Sequence, residues 1–152
     1  MSAAAPEITE QQVQEDLMRL DAYRDQFNAL AQQREILVAS RADHLRARES
    51  LEGIDRADPS AEFLLPLGGE TFVRGGVDRA RPVLVGVGSG VVAEMERPKV
   101  IELLAQRLTR IEQATRDIES QMATLDERIQ VLSRRLDAIA RASSGGPDVG
   151  RH

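Results

Sequence analysis

The chain of 152 residues has no cysteine and no tryptophan, and its only aromatic residues are one tyrosine and three phenylalanines. Without cysteine, a disulfide framework, a thiolate metal site and a cysteine nucleophile are all excluded. A reducing cytoplasm fits this composition, and we expect a cytoplasmic protein. The net charge is −5, and Lys99 is the only lysine. This acidic balance disfavours binding along a nucleic-acid backbone as the main function.

The residues needed for catalysis and for metal binding are also scarce. The two histidines, His44 and His152, are too few for a metal site. No nucleophile, base and orienting group can be placed together, so we expect no enzyme, no metal and no cofactor. No stretch approaches ~18 consecutive apolar residues, which predicts no membrane span. The N-terminus also lacks the pattern of a signal peptide.

Glycine is concentrated in one central stretch, from Leu67 to Val92. A glycine-rich loop beside a helix first suggests a phosphate site. The motif G-x-x-x-x-G-K-[ST] is absent, however, and the series Gly86, Gly88 and Gly90 does not complete G-x-G-x-x-G. The sequence therefore disfavours a nucleotide site, and the stretch needs another explanation.

Two long segments on either side of this stretch have helical periodicity. The first is predicted over residues 9–52, with Thr9 as N-cap, Gln12 three residues later and Gly53 ending the helix. The second is predicted over residues 98–141, with Pro98 in its first turn. Its apolar seam advances in steps of three and four, as in a coiled coil. We expect a flexible N-terminus over residues 1–8 and a disordered tail over residues 142–152.

The two helical segments have almost equal length, which predicts an antiparallel hairpin in which residue i lies near residue 149 − i. The first helix is the more polar of the two, because arginines occupy several expected seam positions, for example Arg34 and Arg41. Their stems could lie along the groove between the helices. Alternatively, this polar face could meet an acidic partner, and the sequence leaves both possibilities open.

The segment between the helices, residues 62–96, reads as two β-hairpins. One is centred on Gly68 and Gly69, and the other on Gly88 and Gly90. Alternation places Val83, Val85 and Val87 on one face of the second hairpin. Four short strands cannot cover both faces and both edges of a sheet. The segment is therefore predicted to mediate oligomerisation, with its sheet or barrel completed by other chains.

This arrangement resembles the alpha-class subunit of prefoldin, particularly the archaeal form. The resemblance rests on a long helix, then "FLLPLGGETFVRGGV" and "VLVGVGSGVVAEME", then a second long helix. It implies a mainly α fold with a β insert, in which the two hairpins join an intersubunit β-barrel. It further implies a hexamer of two alpha and four beta subunits. Such a hexamer would hold unfolded client proteins without ATP and pass them to a group II chaperonin, with no role for nucleic acid or membrane.

The resemblance also implies roles for two sets of residues. The hairpin residues expected to form the oligomerisation surface are Phe63, Leu65, Phe72, Val77, Val83, Val85, Val87, Val91 and Val92. The residues expected to bind clients at the free ends of the arms are Val13, Leu17, Leu20, Val131, Leu132, Leu136 and Ile139. Val131 lies outside the seam and is expected to be exposed. The alternative function is a structural coiled-coil hairpin that binds one specific protein or RNA partner.

Overall fold

The computed structural model describes residues 7–145 and contains two long helices separated by four short strands. In chain order these are α1 Glu10–Arg56, β1 Phe63–Gly68, β2 Thr71–Gly75, β3 Val83–Gly88, β4 Val91–Met95 and α2 Arg97–Ser144. The predicted fold class, two long helices around two β-hairpins, is confirmed. The expected flexible N-terminus and disordered tail fall mostly outside the described residues, although α2 includes residues 142–144.

The N-terminus of α1 has the cap that its sequence predicts. The backbone N–H of Gln12 donates to Thr9 Oγ1 at 3.2 Å, and the N–H of Thr9 donates to Gln12 Oε1 at 3.1 Å. These reciprocal bonds form a capping box, which satisfies two donors at the helix end. Thr9 and Gln12 therefore set where the helix begins.

Gly53 does not end α1, contrary to the expectation from sequence. The helix continues to Arg56, and the N–H of Ala57 still donates to the carbonyl of Gly53 at 3.0 Å. A helical glycine is unfavourable by only about 1 kcal/mol relative to alanine. Half-buried neighbours, Leu51 and Ile54, keep this turn packed. The helix stops shortly before Pro59, whose ring disfavours helical geometry at the preceding residue.

The chain divides into two compact units. The arm unit comprises, among described residues, 7–36 and 115–145, and the hairpin unit comprises residues 37–114. In the arm unit, Leu30, Met122 and Leu125 form the buried core, with Phe27 and Ile118 packed against it. In the hairpin unit, Val85 of β3 is buried together with Val100 and Leu104 of α2, and Leu51 of α1 packs against them.

Within each unit the two helices run antiparallel, but their register differs from the prediction. In the arm unit the predicted register would place Asp16 opposite Ser133, whereas Asp16 contacts Arg135 at 3.3 Å. In the hairpin unit Arg41 would lie opposite Leu108, whereas its Nε contacts Glu112 Oε1 at 3.2 Å. Equal segment lengths therefore predicted the pairing to within about one helical turn.

Candidate functional site

The two hairpins are built in the same way. Each has a six-residue strand, a two-residue turn and a five-residue strand, and each forms its own two-stranded antiparallel sheet. The central turn residues have positive φ, 54° and 59° at Gly69 and Glu70, and 52° and 74° at Ser89 and Gly90. Positive φ at both positions is what a type I′ turn requires.

The residue before each turn is a glycine that also needs positive φ. Gly68 and Gly88 have φ of 102° and 113°, and the strand register shifts just before each of them. This conformation is open to glycine but strained for other residues. All four predicted turn glycines, Gly68, Gly69, Gly88 and Gly90, thus have positive φ. The turn geometry and the register shift before it are the same in both hairpins, and together they fix how the two strands of each hairpin pair.

Most of the apolar side chains proposed for oligomerisation are exposed in this chain. The half-buried or buried members are Phe63, Val83 and Val85. The exposed members are Leu65, Phe72, Val77, Val87, Val91 and Val92. The face of the second hairpin that contains Val83 and Val85 packs against helix residues. The outer faces of the hairpins therefore offer apolar surface for a partner.

Sequence reasoning missed the most exposed members of this surface. Leu64, Leu67 and Leu84 are 65%, 68% and 67% exposed. Leu64 pairs across the first hairpin with Arg74, and Leu84 pairs across the second with Glu94. Leu64 and Leu84 occupy equivalent positions in the two hairpins. Aligning the hairpins with each other at their turns would have revealed this shared pair of leucines.

Arginine side chains attach the hairpins to the helices of the same unit. Arg107 of α2 donates to the carbonyl of Gly86 in β3 at 2.7 Å. Arg97, at the start of α2, contacts Asp55 of α1 and also donates to the carbonyl of Arg79, in the segment between the hairpins. Arg79 in turn donates to the carbonyl of Ala57. These contacts tie β3 and the segment between the two hairpins to the helix ends.

The loop after α1 is organised by its own polar side chains. The hydroxyl of Ser60 donates to Asp58 Oδ1 at 2.6 Å, and the N–H of Ser60 donates to the same oxygen at 2.9 Å. These two hydrogen bonds stabilise the ionised carboxylate and lower the pKa of Asp58 below its ordinary value. The loop conformation that leads into β1 is therefore coupled to the charge of Asp58.

In the arm unit, a buried carboxylate lies among the apolar residues near the helix ends. Asp16 is only 4% exposed, and it contacts Arg135 of α2 at 3.3 Å and Arg19 of its own helix at 3.7 Å. Its Oδ2 has no hydrogen-bond partner among the described residues, so the contact with Arg135 is electrostatic. Asp16 thus joins the N-terminal part of α1 to the C-terminal part of α2.

The residues proposed to bind clients differ in their exposure. Leu20 and Leu132 are buried, at 5% and 8% exposure, whereas Leu17 and Val131 are 43% and 57% exposed. The remaining three, Val13, Leu136 and Ile139, are half-buried. Val131 is exposed, as expected for a residue outside the seam.

Two further apolar side chains near these helix ends are exposed and were not predicted. Met18 is 64% exposed and Ile8 is 46% exposed. Met18 follows Leu17 directly and so faces away from the seam of a helix whose inner positions are Asp16 and Leu20. Its position outside the apolar seam is the sequence feature that could have predicted this exposure. The helix ends of the arm unit therefore present Leu17, Met18 and Val131 to solvent.

No described residue range forms a helix that is long and apolar enough to cross a membrane. Among residues 7–145 no cluster of three or more histidine, aspartate or glutamate side chains is arranged to hold a metal ion. What the described surface offers is exposed apolar area on the hairpins and at the helix ends.

Known solved structures share this architecture. A cryo-EM structure of filamentous PFD from Methanocaldococcus jannaschii superposes with a TM-score of 0.64 at 21% identity, covering 77% of this chain and 97% of that one. The crystal structure of the prefoldin beta subunit from Thermococcus strain KS-1 gives a TM-score of 0.57 at 17% identity, covering 89% and 96%. At these identities the similarity shows the fold alone.

Sequence comparisons identify the family. The prefoldin subunit model matches residues 23–142. The prefoldin subunit alpha of Methanocorpusculum labreanum is 28% identical over 130 residues, covering 86% of this chain and 88% of the relative. The prefoldin subunit alpha of Archaeoglobus fulgidus is 29% identical over 130 residues, covering 86% and 95%. With the two long helices and paired hairpins described above, these matches place the chain in the prefoldin family, as an alpha-type chaperone subunit and not an enzyme.

Proposed function

We propose that this chain is the alpha subunit of an ATP-independent holdase that captures non-native proteins and delivers them to a group II chaperonin. In this proposal two copies assemble with four beta-class subunits through the hairpins. The observation that carries the proposal is the exposed apolar surface of the hairpins, where no other described strand pairs with the outer edges of either two-stranded sheet. Exposed edges and apolar faces are suited to pairing with further strands.

The assembly surface in this proposal extends beyond the residues identified from sequence. It includes the equivalent leucines Leu64 and Leu84 as well as Phe72 and Val92, all of which are more than half exposed. Pairing strand edges from several chains would satisfy backbone N–H and C=O groups while covering these side chains. A closed barrel achieves both, because closure removes the free edges.

The holding surface is proposed to lie at the helix ends of the arm unit. Leu17, Met18 and Val131 are the exposed apolar side chains that support it. Because each is only about half exposed, complete cover by a client segment contributes about half of the ~1.5–3 kcal/mol of a fully exposed side chain. Such contacts are individually weak, so several arms acting on one client would add through effective concentration.

The buried residues Leu20 and Leu132 take part in holding only if the helix ends open locally. Helix ends open more easily than the middle of a helix, because they have fewer packed neighbours. The half-buried Val13, Leu136 and Ile139 need a smaller opening. We therefore propose that the exposed side chains make the first contact with a client and that the predicted seam residues follow.

The first test is the native mass of the full chain, measured alone and with a beta-class prefoldin subunit. A complex with two copies of this chain and four of the beta subunit is expected. The second test measures suppression of aggregation when a denatured client is diluted into this complex, followed by transfer of the client to a group II chaperonin. Met18→Ser/Val131→Ser should weaken suppression and leave the complex intact.

The matched control is Ile36→Ser/Val38→Ser, which removes two exposed apolar side chains elsewhere on α1. It should hold clients as well as the unaltered chain does. A stable monomer that ignores the beta subunit would contradict the assembly. Tight binding of one folded protein or one RNA, without suppression of aggregation, would favour the adaptor function instead.

A further inference from the structure

A groove of about 390 Å³ runs along the arm unit between α1 and α2, close to the exposed Val131. Its apolar lining comes from Tyr23, Val131 and Leu132. Tyr23 packs against the core of this unit, and Leu132 is buried, so the floor of the groove is held in place by the core. Val131, which is 57% exposed, forms an accessible apolar side.

The charged side chains that line the same groove are mostly cationic. Three arginines, Arg19, Arg128 and Arg134, face one carboxylate, Glu127. Arg19 is already engaged with the buried Asp16 at 3.7 Å. Within residues 7–145, neither Arg128 nor Arg134 forms an ion pair with a carboxylate. These two guanidinium groups are therefore available to an anionic ligand.

The positions of both guanidinium groups are restrained by neighbouring groups. The Arg128 guanidinium carbon lies 5.8 Å from the centroid of the Tyr23 ring, within the range of a cation–π interaction. Arg134 Nε donates to the carbonyl of Gln130 at 3.3 Å, which leaves its terminal nitrogens free of that bond. Because the two side chains are partly fixed, less conformational freedom is lost when they bind a carboxylate.

We infer that this groove selects, among non-native polypeptides, apolar segments that carry an aspartate or glutamate beside the apolar side chain. The inference rests on the proposed holding function and adds a preference for client charge. The apolar side chain would cover Val131 and Tyr23, while the neighbouring carboxylate accepts hydrogen bonds from Arg128 or Arg134. Hydrogen bonds between guanidinium and carboxylate groups are stronger than neutral ones.

The net charge of the chain allows a clear test, because it acts in the opposite direction. At −5, the chain as a whole attracts cationic peptides and repels anionic ones. Non-specific electrostatic binding would therefore favour basic segments. A preference for acidic segments would oppose the net charge, and its loss in the Arg128 and Arg134 variants would assign it to the cationic groove.

The experiment uses the full chain and three peptides that share the same leucine and phenylalanine positions. Their flanking residues are aspartate, asparagine or lysine, and calorimetry compares their affinities at low and physiological salt. We expect the aspartate peptide to bind about two- to fivefold more tightly than the asparagine peptide, as for an exposed ion pair. The lysine peptide should bind most weakly, and added salt should reduce the differences.

Arg128→Gln and Arg134→Gln should each reduce the preference for aspartate. Arg110→Gln is the matched control, since it removes the same charge from an exposed position of α2 in the other unit. It should keep the preference. Circular dichroism of each variant establishes that the helices remain folded, so that a lost preference reports on the groove.

The other outcomes overturn the inference in distinguishable ways. If all three peptides bind equally, or lysine binds most tightly, the charge preference is refuted while the holding function stands. If no peptide binds and the complex with the beta-class subunit also fails to suppress aggregation of clients, the holding function itself fails. If a short single-stranded RNA displaces the aspartate peptide and binds more tightly, the groove is a nucleic-acid site.

Discussion

The hairpin unit and the arm unit differ in how much of their apolar surface is exposed to solvent. Leu64 and Leu84 on the hairpins are about two-thirds exposed, whereas Leu20 and Leu132 of the arm unit are nearly fully buried. The hairpins thus keep apolar surface that this chain alone cannot cover. The arm unit covers most of its own and leaves only a few side chains, such as Met18 and Val131, in solvent.

The difference follows from the geometry of the two kinds of element. A strand presents side chains alternately to two faces, and in the second hairpin Val83 and Val85 pack against the helices while Leu84 stays exposed. An amphipathic helix instead gathers its apolar residues on one stripe, which a second helix can cover. The hairpins therefore leave apolar side chains uncovered within this chain, whereas the two helices of the arm cover most of each other's apolar stripe.

The largest expected effect comes from charging the exposed face of both hairpins. Leu64→Glu/Leu84→Glu should abolish assembly with a beta-class subunit, because burying an unpaired carboxylate in an apolar interface costs several kcal/mol. Native mass spectrometry measures this directly. The helices of the variant should remain folded by circular dichroism, since neither leucine belongs to a buried cluster.

The matched control is Gln32→Glu/Gln106→Glu, which adds the same charge at exposed helix positions. It should assemble as the unaltered chain does. Assembly of the Leu64→Glu/Leu84→Glu variant would show that this face stays in solvent in the complex. The contrast between the two units would then rest on the strand edges alone.

Neighbouring residues of α2 allow a second test, with a smaller effect. Leu132→Ala should lower the free energy of unfolding by about 2–4 kcal/mol, because it leaves a cavity in the packed arm. Val131→Ala should change the free energy of unfolding by less than about 0.5 kcal/mol, because this side chain is largely exposed. Chemical denaturation followed by circular dichroism compares the two.

Client holding separates the roles of these two residues further. Val131→Ala should weaken suppression of aggregation without lowering the free energy of unfolding. This combination would assign Val131 to client holding. Equal destabilisation by both substitutions would mean that Val131 packs against the arm and is not available to clients.

The sequence predicted the elements better than the surfaces. The capping box of Thr9 and Gln12 and the positive-φ turns around Gly69 and Gly90 are local features, and a short stretch of sequence specifies each of them. Helix pairing is not local, because a coiled-coil seam tolerates shifts of about one turn. This explains why Arg41 was expected opposite Leu108 and pairs with Glu112.

Exposure was hard to predict because it depends on what each face packs against. The alternation along β3 correctly placed Val83 and Val85 on one face and Leu84 on the other. It did not predict which face would be exposed, and the structure shows that it is the face with Leu84. For Leu20, seam periodicity indicated burial, while the resemblance suggested a role in client binding. The structure places Leu20 in a buried position, and its role in binding stays a prediction.

The buried carboxylate of the arm unit gives a third prediction. Asp16→Asn should lower the free energy of unfolding by about 1–2 kcal/mol, because it removes the charge that faces Arg135 and Arg19. Both arginines are about half exposed and regain water, which limits the loss. Asp25→Asn, at an exposed position of the same helix, is the control and should have little effect.

A double-mutant cycle with Arg135→Gln isolates the pair across the two helices. We expect a coupling of about 0.5–1.5 kcal/mol between Asp16 and Arg135. Zero coupling would assign the effect of Asp16→Asn to the loss of the Arg19 contact within α1. The arm ends would then be held together by apolar packing alone.

The smallest expected effect concerns the loop that leads from α1 to the first hairpin. Ser60→Ala should raise the pKa of Asp58 towards its ordinary value, because it removes the hydroxyl that donates to the carboxylate. NMR titration of the Asp58 carboxyl measures the shift, with Ser50→Ala as a control on the exposed surface of α1. Because the pKa of Asp58 is lowered in the folded state, its ionised carboxylate stabilises the loop at pH values above the ordinary pKa. This stabilisation is lost as the pH falls through the lowered pKa. The loop of the unaltered chain should therefore loosen at a lower pH than that of Ser60→Ala. Identical titration curves would mean that the hydroxyl of Ser60 does not lower this pKa, which would leave the Ser60 backbone N–H and the charge of Arg79 as its causes.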